Sequence, residues 1–458
     1  MKQLPPTALA MWALAALPGC ATYRSAPIDP TSVLEGLEAI SWASSTRATL
    51  AQPGADAAAS ELAAVGPREL ASVAVSTNPQ LAALRAEIGI QSALLVEAGL
   101  LPDPALGWDA MNNIASQAVS GTSSSIDTIS GFSMMFPLLR PGERGARRAA
   151  AEWRTEEVRR RLTAAEWALT RDVHVAYEEV LVALLLFSQT TALTELAGST
   201  HDYFKRAREA GAATAIQANL ALGQLQAMRL DVVRAEARIQ QARQTLNGLV
   251  GLPPSTEIAL ITAQDPSGHP ALQTTAAQLT GHALDARPDL AVMLARYETS
   301  EEEVRLAIAS QFPLVSVGTG LSLVLPVFSR FGRPAIATAI ARRGQIAREF
   351  TAAVHGARQE ISATHTLWNL AQKEVELLEA ELLPNAERNL ELSREAFSAG
   401  EVTLLETLAL QRALVEARTR HTETRAELSK RAWKLLAASG WLLATPALNE
   451  SDDGQEYR

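Results

Sequence analysis

Cysteine is almost absent: Cys20 is the only one in 458 residues. An internal disulfide framework and any multi-cysteine metal site are thereby excluded. The seven histidines are scattered and form no HExxH-type ligand set. His174 and Glu178 stand one helical turn apart and are read as a surface contact, so no metal site is expected. Gly318-Thr319-Gly320 lacks the remainder of a phosphate loop. There is no basic excess: 41 Lys and Arg against 50 Asp and Glu leave a net charge of −9, which gives no positive field for nucleic acid. Aromatics are only 5%, while Ala, Leu, Glu and Arg abound, the composition of long helices and coiled coils. Past the N-terminus no uninterrupted apolar run reaches the ~18 residues of a spanning helix. Any membrane crossing then falls to β-strands closed into a barrel, because open sheet edges are not tolerated in lipid. No catalytic constellation and no cofactor site stands out, and the chain is not expected to be an enzyme.

What is present begins with Lys2, an apolar run from about Ala8 to Leu17, and Leu17-Pro18-Gly19-Cys20. The run is too short to span a bilayer and has the length of a signal h-region. Residues 1–19 read as a lipoprotein signal peptide, with Cys20 as the acylated first residue of the mature chain. The competing reading is a plain secretory signal with a chance cysteine. Ala21 follows the cysteine where Asp would suggest inner-membrane retention, so outer-membrane anchoring is expected. Residues 20–66, rich in Ala, Ser, Thr and Pro, form the lipid-anchored linker.

The body says nearly the same thing twice. Asn78-Pro79-Gln80-Leu81-Ala82 is echoed by Arg287-Pro288-Asp289-Leu290-Ala291, and Leu101-Pro102 by Phe312-Pro313. Phe136-Pro137-Leu138 is echoed by Leu325-Pro326-Val327, and Ala210-Gly211 by Ala399-Gly400. Repeat 1 spans 67–251, a connection 252–272, repeat 2 273–440 and a tail 441–458. In repeat 1 a helix runs from Pro67 to about Pro102. Two strands of about ten residues follow, with Leu106, Trp108 and Ala110 alternating in the first and Ile126, Thr128, Ser130, Phe132, Met134 and Phe136 in the second. From Glu143 to about Arg208 a coiled-coil seam steps through Val158, Leu162, Ala165, Leu169, Val173, Ala176, Val180, Ala183 and Phe187. At ~1.5 Å per residue that helix is about 100 Å long. The charge run Arg154 to Arg161 is read as its solvated face. A return helix occupies 214–250. Repeat 2 has its long helix from about Pro334 to Ser398, kinked at Pro384, and a return helix from about Thr403 to Ser439. Its strand segment is short. Val315, Val317, Thr319, Leu321 and Leu323 alternate, and a chain that crosses outward must cross back, so about five residues per strand turn at Gly318-Thr319-Gly320.

These residues resemble the TolC-type outer-membrane efflux family, in particular its cation-efflux branch. The resemblance covers about 67–440. It is carried by Asn78-Pro-Gln-Leu-Ala, Gly99-Leu-Leu-Pro-Asp-Pro104, Thr245-Leu-Asn-Gly-Leu-Val-Gly251, Arg287-Pro-Asp-Leu-Ala291, Leu323-Val-Leu-Pro-Val-Phe328 and Ala399-Gly-Glu-Val-Thr-Leu-Leu-Glu406. It implies a mainly α fold of long antiparallel helical hairpins forming a coiled-coil α-barrel, with short transmembrane strands completing a trimeric β-barrel. It also implies a homotrimer, a periplasmic adaptor (membrane fusion) protein, an inner-membrane pump and contact with outer-membrane lipid.

On that resemblance the tips around Gly211, Thr214, Gly400, Glu401 and Thr403 meet the adaptor and close the tunnel like an iris. Family members with a double-acidic gate carry carboxylates six and nine residues after the tip glycine. Here those positions are Glu406 and Ala409, so one ring of three Glu406 carboxylates is the expected cation-selective gate. The alternative for Glu406 is a solvated helix residue paired with Arg412 or a neighbour. The expected function is an outer-membrane channel of a tripartite efflux system, exporting metal cations or small toxic compounds. The alternative is a non-conducting coiled-coil envelope lipoprotein with a degenerate barrel. A periplasmic adaptor would show one hairpin and several β-rich domains, not two matched hairpins.

Overall fold

The computed structural model describes residues 23–40, 42, 64–111, 129–261, 266–318, 320–399 and 401–443. Cys20 and its signal, most of the linker, Ile126, Thr128, Thr319, Gly400 and the tail beyond 443 lie outside the described residues. The elements are α1 (Pro30–Glu38), α2 (Pro67–Thr77), α3 (Pro79–Gly99), β1 (Ala105–Met111), β2 (Ile129–Leu138), α4 (Glu143–Glu209) and α5 (Ala215–Val250). After two short 3₁₀ turns come α6 (Ala276–Ala286), α7 (Pro288–Ala309), β3 (Leu314–Gly318), β4 (Leu321–Val324), α8 (Arg333–Leu377), α9 (Leu383–Ala399) and α10 (Leu404–Ala438).

The single helix expected from Pro67 to Pro102 is two, α2 and α3, because Pro79 cannot donate to the preceding turn and drives Asn78 to an extended backbone (φ −62°, ψ 123°). Pro288 does the same between α6 and α7, where Arg287 sits at φ −76°, ψ 119°. The pre-proline residue in each repeat then hooks the end of that repeat's return helix. Asn78 accepts from Gln80 N and Leu81 N through Oδ1 while its Nδ2 donates to Leu249 O at 3.0 Å. Arg287 Nη1 donates to Ala438 O at 2.9 Å. Around each hook lies a core. In repeat 1, Leu70, Val73, Val173, Tyr177, Val180, Leu246 and Val250 pack together. In repeat 2, Leu272, Leu279, Ile361, Trp368, Leu428, Leu435 and Leu436 do so. Tyr177 Oη lies 2.8 and 2.6 Å from the carbonyl oxygens of Val65 and Ile261, and burial pushes its phenol up to about 12. It thereby pins the parallel bridge between Val65 and Leu260.

Helix α4, 67 residues long, is the spine of the protomer. The seam read from the sequence faces inward, with Val173, Val180 and Ala183 at 2% exposure or less. Two readings on this helix are corrected. The Arg154–Arg161 run is not simply solvated: Arg154 pairs with Glu303 of α7, Arg161 with Glu87 of α3, and Arg160 donates to Ala291 O. His174 and Glu178 are not a surface contact, since both are buried. The His174 ring lies 4.2 Å from that of Trp433, its Nδ1 is 2.7 Å from Thr170 O, and burial holds its pKa below the ordinary value. Repeats 1 and 2 meet along α4 and α10, where Val182 and Leu186 pack on Ala426. Beside them Glu179 takes Arg238 at 3.0 Å and Lys430 at 3.0 Å, Arg238 reaches Glu423 at 2.9 Å, and Lys430 reaches Glu427 at 3.0 Å.

In repeat 2 the kink expected at Pro384 is a π-helical stretch, Leu378–Leu382, between α8 and α9. Leu383 N–H donates to Leu378 O, a five-residue step that widens the helix just where the proline ring would collide with the preceding turn.

All four strands form one antiparallel sheet in the order β1-β2-β3-β4, so the two repeats join through β2 and β3. Phe136 faces Val317 and Leu138 faces Val315, while Val317 pairs with Leu321 and Val315 with Leu323. Cross-strand partners share a face, so Phe136, Leu138, Val315, Val317, Leu321 and Leu323 make one apolar side. Ser316 and Ser322, paired with each other, lie on the opposite one. A Cβ on Gly318 would come within 1.7 Å of Met134 O, which is why only glycine allows β2 and β3 to join there. Strands β3 and β4 have five and four residues, the stunted hairpin expected from the sequence. Among the described residues the outer edges of β1 and β4 have no strand partner.

Arg287→Ala is expected to lower stability by about 3 kcal/mol in denaturant titration, since a buried carbonyl and two carboxylates lose their donor; Arg287→Lys restores only part. The Glu179 cluster carries a pH signature. Burial pushes Glu179 up, but the hydrogen bonds from Arg238 and Lys430 outweigh it and hold the carboxyl below its ordinary 4.5. Its contribution is therefore present above about pH 4.5 and lost as pH falls through the lower folded value. Thermal midpoints should drop on acidification below that point, and Glu179→Gln should flatten this part of the profile.

Candidate functional site

Gly211, Thr214, Glu401, Thr403 and Glu406 lie at the hairpin ends remote from the sheet, while Cys20 and Gly400 lie outside the described residues. In the first tip α4 stops at Ala210, whose N–H donates to Arg206 O, and Gly211 takes a left-handed φ of 76°. That conformation is open to glycine without penalty and turns the chain into the return helix. Thr214 caps α5 through a capping box: its Oγ1 accepts from Gln217 N at 3.2 Å, and Gln217 Oε1 accepts from Thr214 N at 2.8 Å.

The second tip repeats the device with a charge in it. Thr403 Oγ1 accepts from Glu406 N at 3.3 Å, and Glu406 Oε2 accepts from Thr403 N at 2.7 Å and from Thr403 Oγ1 at 2.8 Å. These bonds from Thr403, backbone first and hydroxyl second, hold the Glu406 carboxyl below its ordinary value. Glu406 is exposed and is not paired with Arg412, which instead donates to Gln224 of the first hairpin at 2.9 Å. Glu401 is exposed, with its N–H on Ala396 O.

Two residues that the sequence reading passed over bring the tips together. Phe204 of α4 is 5% exposed, packs on Ala221, and meets Phe397 of α9 edge-on at 6.2 Å; Ala213 and Leu408 complete the cluster. A signal was available, since aromatics are rare in this chain and these two lie within seven residues of a tip glycine. Counting back seven residues from each tip glycine gives Phe204 in the first hairpin and Ser393 in the second. Ser393 is buried and donates to Thr407 Oγ1 at 3.1 Å. The first hairpin thus closes its end on an aromatic ring and the second on a hydroxyl pair.

Elsewhere, a groove of about 530 Å³ between α3, α4, α7 and α8 is lined by Arg154, Arg161, Arg296, Glu87, Glu157 and Glu303. The Arg154–Glu303 and Arg161–Glu87 ion pairs cross it. Among the described residues no group of three or more His, Cys, Asp or Glu could hold a metal ion.

Because Gln217 and Glu406 fill the same place in equivalent boxes, acid should act on one tip alone. A carboxylate held below its ordinary pKa stabilises above that value and ceases to as pH falls through the folded one. Below about pH 4.5, amide protection in the first turn of α10 should decline relative to that of α5. Thr403→Ala should mimic this at neutral pH, at a cost of ~1 kcal/mol.

Comparison with known proteins follows the fold. Residues 70–252 match the family model described as outer membrane efflux protein. No curated protein matches the sequence. Among solved structures the chain is similar to the outer-membrane channel OprN, at 18% identity and a TM-score of 0.68, over 82% of this chain and 90% of that one. It is similar to the outer membrane protein VceC of Vibrio cholerae, at 18% identity and 0.67, over 82% and 96%. The MtrE outer membrane channel of Neisseria gonorrhoeae, described in its open state, matches at 17% identity and 0.64, over 82% and 88%. The 70–252 region therefore carries the sequence pattern of the outer membrane efflux protein family, and the chain has the fold of these outer-membrane channels.

Proposed function

We propose that this protein is the outer-membrane channel component of a tripartite efflux system. It acts as a homotrimer that carries substrates from the periplasm to the exterior. The observation that carries the reading is the sheet: one apolar side, an opposite side with paired serines, and two outer edges with no strand partner among the described residues, mounted on helical hairpins whose tips meet at the other end. Open edges are not tolerated in lipid, so such a sheet suits a bilayer only when copies close it into a barrel. Cys20, as an acylated first residue, would anchor each protomer in the outer membrane. The tips at Gly211, Thr214, Gly400, Glu401 and Thr403 would receive the periplasmic adaptor, which in turn engages an inner-membrane pump. Metal cations are the substrate class favoured by the sequence resemblance.

Glu406 is the proposed gate. Its capping role does not compete with a gating one, because Oε2 alone accepts both bonds from Thr403 and leaves Oε1 for the axis. Gln217 does the same capping work without charge in the first tip, so the acid in the second is surplus to the cap. A hydroxyl pair at the position where the first hairpin has a ring, and a π stretch above it, also suit a moving gate.

One observation favours the alternative of a non-conducting envelope lipoprotein: at ~3.4 Å per residue, β3 and β4 each span about half of a ~30 Å hydrocarbon core. Single-channel recording in planar bilayers decides between them. Stable, cation-preferring openings are expected from a purified trimer, and a trimer that never conducts would leave the structural reading. Glu406→Gln keeps the cap and removes the ring charge, so the reversal potential in a salt gradient should shift toward zero. Unchanged cation preference would remove Glu406 as the gate.

A further inference from the structure

The two turns that lead from sheet to long helix occupy equivalent places in the repeats, yet they treat charge differently. In repeat 1, Arg140 is absorbed internally. Its Nε donates to Phe312 O at 3.0 Å, its backbone N–H donates to Glu143 Oε2 at 3.0 Å, and Nη1 stands 3.7 Å from the same carboxylate. Glu143 is buried and also holds Arg147 at 2.6 Å. In repeat 2 the residue following the equivalent cap glycine is Arg333 instead of Glu143. Among the described residues neither Arg330 nor Arg333 has an ion pair or a side-chain hydrogen bond, and both are exposed.

The same turn displays an apolar cluster. Phe328 is 104% exposed, and Leu325, Val327 and Phe331 are exposed beside it. Its backbone is held in an unusual shape: Arg330 and Phe331 both have left-handed φ values, 49° and 54°. Two successive non-glycine residues adopt that region only when the surrounding structure enforces it. Here Arg330 N donates to Val327 O, Phe331 N to Pro326 O, Gly332 N to Ser329 O and Ser329 Oγ to Pro326 O. The result is a clamped turn with two unpaired cations and two phenyl rings directed away from the fold.

We infer that the 325–333 turn seats in the periplasm-facing surface of the bilayer, with Val327, Phe328 and Phe331 at the headgroup–acyl boundary and Arg330 and Arg333 on the phosphates of acidic phospholipids. Three observations fix that occupant. The cluster is continuous with the exposed Leu321 and Leu323 on the apolar side of β4, the side that lipid covers. The cations complement anionic headgroups, and aromatic side chains favour that depth. Strands of five and four residues are too short to set the height of the protein in the bilayer by themselves, so an interfacial anchor at their base supplies what strand length does not. The inference rests on the membrane-spanning reading of the sheet.

The test labels single introduced cysteines with a nitroxide at Leu321→Cys and, separately, at Phe328→Cys, in the full chain with Cys20 kept, the parent chain carried through the same labelling as the background for Cys20. The protein is reconstituted in phosphatidylethanolamine vesicles with or without phosphatidylglycerol. Depth is read from the balance of oxygen and nickel-chelate accessibility. The Leu321 label should lie in hydrocarbon and the Phe328 label at shallow depth, less mobile when phosphatidylglycerol is present. Arg330→Glu with Arg333→Glu should abolish that lipid dependence. A Leu321 label in hydrocarbon with a Phe328 label that is aqueous, or closed to both reagents as in a protein interface, overturns the inference and leaves the channel reading standing. A shallow Phe328 label indifferent to phosphatidylglycerol overturns the headgroup contact. An aqueous Leu321 label overturns the membrane-spanning reading itself.

Discussion

The Arg287 guanidinium is the point on which both halves of the protomer lean. It is 6% exposed, lies 5.3 Å from the centre of the Trp167 ring on α4, and binds Asp289, Glu360 of α8 and the Ala438 carbonyl at the end of α10. Burial alone would lower its pKa, but the hydrogen bonds to Asp289 and Glu360 hold it above the ordinary value, so the charge persists. A buried cation with all its directions taken fixes geometry more than it adds stability, because desolvation offsets much of the attraction. What it fixes here is where four helices cross. Asn78 performs the corresponding task in repeat 1 with a neutral amide, reaching the carbonyl end of α5. Duplication thus kept the hook and changed its chemistry.

From those crossings the long helices run toward the tips with few tertiary restraints, and the restraints present are graded. Near the hooks, α4 is packed by α2, α5 and α7; midway, Glu179, Arg238, Glu423 and Lys430 tie repeat 1 to repeat 2; at the end, among the described residues, the Phe204–Phe397 cluster, the Ser393–Thr407 pair and the Arg412–Gln224 bond hold the tips. Stability is lowest where few apolar contacts hold an element, so the fold places its most easily moved part at the tips. The second hairpin differs from the first by a π stretch at Leu378–Leu382 and by a hydroxyl pair at the position where its counterpart has a phenyl ring. At the other end the sheet imposes the opposite demand. Among the described residues its outer edges at β1 and β4 have no strand partner, and the membrane-spanning reading proposed above requires copies of the chain to close them.

Much of this was legible in the residues because it rests on local rules. The period of the α4 seam, the stops at Gly211 and Gly251, the starts of the return helices near Thr214 and Thr403 and the brevity of β3 and β4 all follow from spacing and glycine chemistry. The helix break at Asn78-Pro79 was written there too, but the apolar spacing of Leu70, Val73, Leu81 and Leu84 carried through it and masked the proline. His174 and Glu178 were misplaced for a different reason. A histidine and a glutamate on a charged helix give no local indication that both will be buried, the histidine against Trp433 more than 200 residues later.

Sequence alone determined the duplicated plan, the extent of its long hairpin helices and the alternation of its strands, because each depends on neighbours a few residues apart. Only the tertiary structure decided that β2 and β3 join the repeats into one sheet, that Arg287 rather than a hydrophobic residue closes the second core, and that the turn after β4 presents arginines with no ion pair among the described residues. Those outcomes depend on which distant groups arrive beside a side chain. The sign of a charge says nothing about whether its partner lies one helical turn away, in the other repeat, or outside the protein altogether.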